Sequence, residues 1–254
     1  MIFESHAHYD DEVFDEDREE LLGSFHGQGI GTVINIGASL AGCKATVALT
    51  QKYPFIYGAV GVHPSEVGEL NEENFALLRK WCALDKIVAV GETGLDYHWP
   101  EPGPALQKDW FERQLVLARQ VKLPVIIHSR EAAKDTLEII QAHHGGEIGG
   151  VVHCFSYAKE MAREYLNMDF YFGIGGVITF NNAKKLKEAV AYIPMEKILL
   201  ETDSPYLAPE PNRGKRNTSL NLPCVAQAIA QLKGISYEEV VEMTEANARR
   251  LFGL

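Results

Sequence analysis

The sequence predicts a closed (β/α)8 barrel, the TIM-barrel class, on three observations. Its 254 residues match the length of one such barrel, about 250 residues. Short apolar, β-branched runs alternate eight times with segments of helical period. The first run ends in His-Ala-His. An open doubly wound sheet that binds nucleotides would usually carry a Gly-x-Gly-x-x-Gly turn there. Alternation of strand and helix implies parallel strands joined by right-handed crossovers.

In order, the runs that read as strands are Ile2–Ser5, Thr32–Ile36, Ile56–Val62, Ile87–Gly91, Pro124–Ile127, Gly150–Cys154, Phe170–Gly175 and Ile198–Thr202. Between them, apolar residues recur at helical spacing over Asp15–Gln28, Ala41–Lys52, Glu72–Ala83, Ala105–Val121, Ala132–His143, Lys159–Leu166 and Ala183–Tyr192. Asn221–Leu232 and Tyr237–Leu251 follow the last strand as further helices. No composition break, Pro/Ser linker or internal repeat divides the chain, so one domain over 1–254 is expected. Two loops rich in Pro and Gly, Tyr97–Pro104 and Tyr206–Asn217, follow strands and would stand over a barrel's active face.

The composition is globular, 46% apolar and 23% charged. No apolar run approaches the ~18–20 residues that span a bilayer. The N-terminus reads as a strand rather than a charged-then-apolar leader. A soluble, cytoplasmic protein without membrane contact is expected, and no obligate protein partner is inferred. The four cysteines, Cys43, Cys82, Cys154 and Cys224, form no Cys-x-x-Cys and imply neither a disulfide framework nor a zinc knuckle. Cys154, beside His153, either approaches a site or is a small buried hydrophobe. A net charge of −11 argues against a broad footprint on duplex nucleic acid. It leaves room for a small phosphate pocket neutralised by metal. Much of the acidity crowds between Asp10 and Glu20, as on a solvated first helix.

The chemistry gathers at the strand ends. His6 and His8 close the first strand, where alternation puts Glu4, His6 and His8 on one side. His63 ends the third strand, Glu92 the fourth, His128 the fifth, His153 the sixth and Asp203 the eighth. Of nine histidines, five fall at these C-termini, the catalytic face of a barrel. Neutral imidazoles and carboxylates suit Zn²⁺, Mn²⁺ or Fe²⁺, and an oxygen-rich site suits Mg²⁺. Four histidines with Glu92 and Asp203 exceed one tetrahedral ion and suit two ions sharing a carboxylate. His6, His8, Glu92 and Asp203 are therefore assigned to one ion, and Glu92, His128 and His153 to the other. Such a pair polarises a phosphoryl oxygen and acidifies a shared water. Asp203 is the natural proton acceptor and the first catalytic candidate.

Other residues keep two readings each. His63 is either a substrate-facing catalytic donor, as an imidazolium holding a phosphate oxygen, or a cap on the turn at Pro64. Arg130 reaches a substrate phosphate or pairs at the start of its helix. Arg213, in the basic run Arg213-Gly214-Lys215-Arg216-Asn217, binds phosphate as loops after strands seven and eight of barrels often do, or is merely exposed. Glu201 orients a ligand or is paired. Asp96 and Tyr97 are read as shaping the fourth loop. His98 and Trp99 in that loop stack on a base or pack the loop. Lys184, Lys185 and Lys187 extend the basic patch or line a helix surface, and His26, His143 and His144 read as solvated.

These motifs together resemble the TatD family of metal-dependent deoxyribonucleases, within the amidohydrolase superfamily of barrels. The resemblance runs end to end. It rests on Ser5-His6-Ala7-His8, Gly61-Val62-His63-Pro64, Gly91 to Tyr97, Leu123 to Arg130, His153-Cys154-Phe155, Glu201 to Leu207 and Arg213 to Asn217. It implies a two-metal site at the positions above. It also implies 3′→5′ or endonucleolytic cleavage of DNA with Mg²⁺ or another divalent ion, and the acidic surface fits single-stranded or frayed ends better than duplex wrapping. Some relatives are linked to RNA or to removing D-amino acids from tRNA, so an amide or ester hydrolase such as a D-aminoacyl-tRNA deacylase is the alternative. Many amidohydrolases bridge their metals with a modified Lys ending strand four, where this chain has Glu92. The chain departs from the family pattern twice: Glu4 stands where Asp is usual, and Thr218-Ser219 where Glu-Pro is usual.

Overall fold

The computed structural model describes residues 1–254. Eight parallel strands form one nearly closed sheet in sequence order: β1 (Ile2–Ala7), β2 (Ile30–Ile36), β3 (Ile56–Val60), β4 (Ile87–Asp96), β5 (Val125–Arg130), β6 (Gly150–Val152), β7 (Tyr171–Ile174) and β8 (Ile198–Leu200). The chain is a (β/α)8 barrel, as its alternation of runs predicts. The helices are α1 (Arg18–Ser24), α2 (Leu40–Lys52), α3 (Glu72–Trp81), α4 (Pro104–Val121), α5 (Ala133–Ala142), α6 (Gly145–Ile148), α7 (Lys159–Asn167), α8 (Lys184–Tyr192), α9 (Leu222–Lys233) and α10 (Tyr237–Phe252).

Local chemistry sets many of the boundaries. Ser39 caps α2 by accepting from Gly42 N, and Asn71 and Ser236 open α3 and α10 with reciprocal capping boxes. Pro104 supplies the first turn of α4, where its missing N–H costs nothing. Gly234 and Gly253 stop α9 and α10 in the left-handed conformation.

Of the elements that differ from expectation, which include the added α6 and the longer β1 and β5, two stand out. The first helix, expected over Asp15–Gln28, is only α1 and a 3-10 turn at His26–Gln28, with another 3-10 turn at Glu12–Phe14 before it. Arg18 turns back over this segment, donating Nε to Tyr9 O (2.5 Å) and Nη2 to Asp11 O (2.9 Å), which suits a compact turn better than a continuous helix. The second is β4, which continues past Gly91 because Thr93, Gly94, Leu95 and Asp96 pair with Ile127, His128, Ser129 and Arg130. Glu92 is therefore held mid-strand. Gly94 permits this pairing, since a Cβ there would lie 1.9 Å from His128 O.

The barrel closes at its rim. Ala7 bridges Ser204, His8 N donates to Ser204 O (2.8 Å) and Asp203 N donates to His6 O (3.0 Å). One apolar cluster of 12 buried residues takes a member from every strand, with Ala248 and Phe252 of α10, as layers inside a barrel do. A larger cluster of 51 includes the inner faces of the surrounding helices. The polar residues gather beyond these layers, at the strand C-termini.

Candidate metal centre

The C-terminal rim brings His6, His8, His63, Glu92, His128, His153 and Asp203 into one neighbourhood. His6 Nε2 and His8 Nε2 lie 3.2 Å apart. Glu92 Oε2 is 3.4 Å from the first and 3.7 Å from the second. Asp203 Oδ1 is 3.6 Å and 3.4 Å from the same two nitrogens. Donor atoms around a tetrahedral ion with bonds of about 2.1 Å sit about 3.4 Å apart. His6 Nε2, His8 Nε2 and Asp203 Oδ1 have that mutual spacing, and Glu92 Oε2 has it to both imidazoles, so the three fit a cation with Glu92 beside them.

Glu92 faces a second set with its other oxygen. Oε1 is 2.7 Å from His128 Nδ1 and 2.7 Å from His153 Nε2, and those nitrogens are 3.2 Å apart. His63 Nε2 lies 3.9 Å from the same oxygen. The carboxylate thus reaches both donor sets.

Outer partners orient the rings. His8 Nδ1 is 2.9 Å from Ile36 O, and a proton there leaves Nε2 free to ligate. His128 Nε2 lies 3.0 Å from Asp96 Oδ2, which frees Nδ1 in the same way. His153 Nδ1 is 3.6 Å from Glu201 Oε1, whose main partner is Cys154 N at 2.6 Å. A hydrogen-bonded carboxylate–histidine pair such as Asp96–His128 fixes the tautomer and raises ligand basicity. Gly173 makes room for Glu201, because a Cβ there would fall 1.8 Å from its Oε2. Glu201 sits behind His153 and accepts from Cys154 N. Asp96 does more than shape the fourth loop, since it pairs with His128. The signal for it was the alternation Glu92, Gly94, Asp96, which on a longer β4 puts both acids on one face.

Glu4 shares β1 with His6 but its carboxylate stays outside the donor set. It accepts from His6 N (3.1 Å), Thr202 N (2.9 Å), Thr202 Oγ1 (2.7 Å) and Ser219 Oγ (2.8 Å). The two departures from the family pattern, Glu4 and the Thr218-Ser219 pair, therefore touch.

Electrostatics follow the geometry. Burial opposes ionisation of Glu92, but His153, His6 and His128 hold it well below the usual carboxylate range. Asp203 is also lowered, its burial outweighed by His8, His153 and His6. Burial opposes a charge on His8 as well, yet Asp203 and Glu92 push it up to about 9. His153 and His128 are raised against burial, by Glu92 and by Asp96 with Glu92 respectively. His6 is lowered by burial and by His153. His63 is pushed down to about 4 by burial and by His128, which favours a neutral ring over the imidazolium first considered. Ser65 N donates to His63 Nδ1 (3.1 Å), leaving a neutral ring's proton on Nε2. Ser65 Oγ lies 2.7 Å from the same nitrogen and 3.0 Å from Glu66 Oε1, so its proton can turn either way.

A cavity of about 770 Å³ opens over this centre. Arg130 is the one Lys or Arg on its lining. Arg213 is not brought to the cavity. Its guanidinium stacks 4.1 Å over Phe180 and stands 3.9 Å from Glu210, because the basic loop packs outward against the turn after β7. Arg216 is likewise taken up by Asp17 and by Val13 O. Lys187 donates to Phe180 O. His143 lies 3.4 Å from Glu112 and away from the centre.

An eight-stranded barrel whose rim gathers five imidazoles with Glu92 and Asp203 is the framework of a metal-dependent hydrolase. The chain belongs to the TatD-related DNase family, whose model matches residues 3–253. It is 40% identical over 252 residues to the uncharacterized metal-dependent hydrolase YabD of Bacillus subtilis, covering 99% of each chain. It is 34% identical over 245 residues to the 3′-5′ ssDNA/RNA exonuclease TatD of Cronobacter sakazakii, covering 94% of this chain and 93% of that one. Among solved structures it superposes on YJJV, a TatD homolog from Escherichia coli K12. The TM-score is 0.94 at 28% identity, over 100% of this chain and 98% of the other. No helix is long and apolar enough to cross a membrane.

Proposed function

We propose that the chain is a metal-dependent phosphodiesterase that trims single-stranded DNA from its 3′ end, with two divalent ions sharing Glu92. One observation carries this reading. The two oxygens of Glu92 point at two separate donor sets, one with His6, His8 and Asp203 and the other with His128 and His153. Divalent ions held there supply Lewis-acid polarisation of a phosphoryl oxygen and an acidified water.

The chain's own residues do the rest. Asp203 is the proton acceptor for the attacking water. Its side chain is 17% exposed against 4% for Glu92, so it is the site carboxylate open to solvent from the cavity. His63 lines the same cavity and presents Nε2–H to it, placed to steady a phosphate oxygen or the leaving oxygen. Arg130 supplies the cation for a neighbouring phosphate. Asp96 keeps His128 in the ligating tautomer, and Glu201 lies behind His153 as a nearby buried acid. The relative named for 3′-5′ ssDNA/RNA exonuclease activity supports the choice of substrate and polarity.

The test uses purified protein reconstituted with Mg²⁺, Mn²⁺ or Zn²⁺. It is assayed on end-labelled single-stranded DNA, on RNA and on D-aminoacyl-tRNA, beside Asp203→Asn. Stepwise shortening from the 3′ end that Asp203→Asn abolishes is the expected result. Shortening that survives the substitution comes from a contaminant and removes the support for this reading. Release of the D-amino acid with intact DNA would move the assignment to a deacylase.

A further inference from the structure

The mouth of the cavity has unlike walls. Asp10 and Asp11, after β1, and Glu66, after β3, line one side, while Trp99 and Arg130 line another. Trp99 is a large apolar side chain left 55% exposed over a polar cavity. Its loop is anchored on both sides. Tyr97 N donates to Arg130 O (2.9 Å), Tyr97 OH to Asp135 (2.8 Å) and His98 N to Asp96 Oδ1 (2.9 Å). His98 Nδ1 lies 2.8 Å from Glu131 Oε1, and Gln107 Nε2 donates to Pro102 O (2.7 Å). The indole thus stands on a braced loop, with the His98 ring at right angles to it at 4.8 Å and more than half of its surface open. The strand register pairs Asp96 with Arg130, which puts the only cation of the lining on the strand beside the Trp99 loop.

An aromatic face beside a guanidinium matches one nucleotide unit, a base and its phosphate. Stacking needs a base that is out of a duplex, and it tolerates any sequence because every base has a π-face. The acidic side repels a second phosphate backbone, so the strand has one favourable way to lie. We propose that Trp99 is the stacking platform for an unpaired base of the nucleotide whose phosphate meets Arg130, and that it sets the preference for single strands. This rests on the phosphodiesterase reading above.

The test compares an oligothymidylate with an abasic strand of equal length, which keeps the phosphates and lacks the bases. Wild-type protein is expected to favour the oligothymidylate in kcat/KM. Trp99→Ala is expected to shrink that preference by about 5- to 150-fold, the range of one base–aromatic stack, mainly through KM. Trp99→Phe, which keeps a π-face, is expected to restore most of it. A preference unchanged in Trp99→Ala would overturn the proposal. Tryptophan fluorescence separates the two readings, since Trp99 is the exposed one of Trp81, Trp99 and Trp110. Quenching by oligothymidylate that is lost in Trp99→Phe supports the platform even if neither strand is cleaved. Equal quenching in both proteins would refute it even if DNA is cleaved.

Discussion

Glu4 accepts both the backbone N–H of Thr202, at 2.9 Å, and its hydroxyl, at 2.7 Å, across the seam where β1 meets β8. Glu4 stands two residues before His6, and Thr202 one residue before Asp203. The β1–β8 pairing is a single bridge at Ala7 and Ser204. This carboxylate therefore adds a side-chain tie to the backbone bonds Asp203 N–His6 O and His8 N–Ser204 O that set the distance between the two metal-facing ends.

Glu4→Gln would aim an amide N–H₂ at hydrogen-bond donors and leave buried groups unpaired, a cost of about 1–3 kcal/mol. A lower melting temperature is expected, together with roughly 10- to 100-fold weaker binding of the ion at His6, His8 and Asp203. Calorimetric metal titration reads both sites. Unchanged metal affinity with a lower melting temperature would reduce Glu4 to a packing role.

His63→Ala is expected to lower turnover by about 10²- to 10⁴-fold, the range of one acid–base group, with metal content retained. Elemental analysis beside steady-state kinetics checks it. Loss of a metal equivalent would make His63 a ligand of Glu92's second set, which its 3.9 Å approach to Glu92 allows.

Metal binding should depend on pH with a definite sign. Asp203 and Glu92 push His8 up to about 9 against its burial, so the metal-free protein holds a proton on that ring at neutral pH. A ligating nitrogen must lose it. Affinity is therefore expected to rise with pH from neutrality through about 9. Titration in buffers of different ionisation enthalpy should show proton release at pH 7. No release would mean that His8 is already deprotonated or is not a ligand.

Arg130→Ala should weaken binding of single-stranded DNA and reduce the slope of log affinity against log salt by about 0.7, the value for one phosphate contact on a single strand. Arg213→Ala should leave that slope unchanged, because its guanidinium lies over Phe180. Equal loss in both variants would return the basic loop to the substrate.

Much of the barrel was legible because each strand is a short apolar run and each helix a periodic one. The site was legible because polar residues that break those runs fall at strand C-termini: His6, His8, His128 and His153 could be placed without coordinates. What stayed hidden depends on partners far along the chain. Asp96 looked like a loop residue because Gly91, Glu92 and Gly94 dilute the apolar pattern, and only pairing with β5 carries the strand on to Asp96. The contacts of Glu4 with Thr202 and Ser219 span 198 and 215 residues. Arg213 and Arg216 form a visible basic run, but Phe180 and Asp17 decide where they point.

The most direct measurement is anomalous diffraction from crystals loaded with Mn²⁺. Two ions about 3.5–4 Å apart are expected on either side of Glu92, one against His6, His8 and Asp203 and the other against His128 and His153. A single peak away from Glu92, or none among these side chains, would contradict the shared-carboxylate centre.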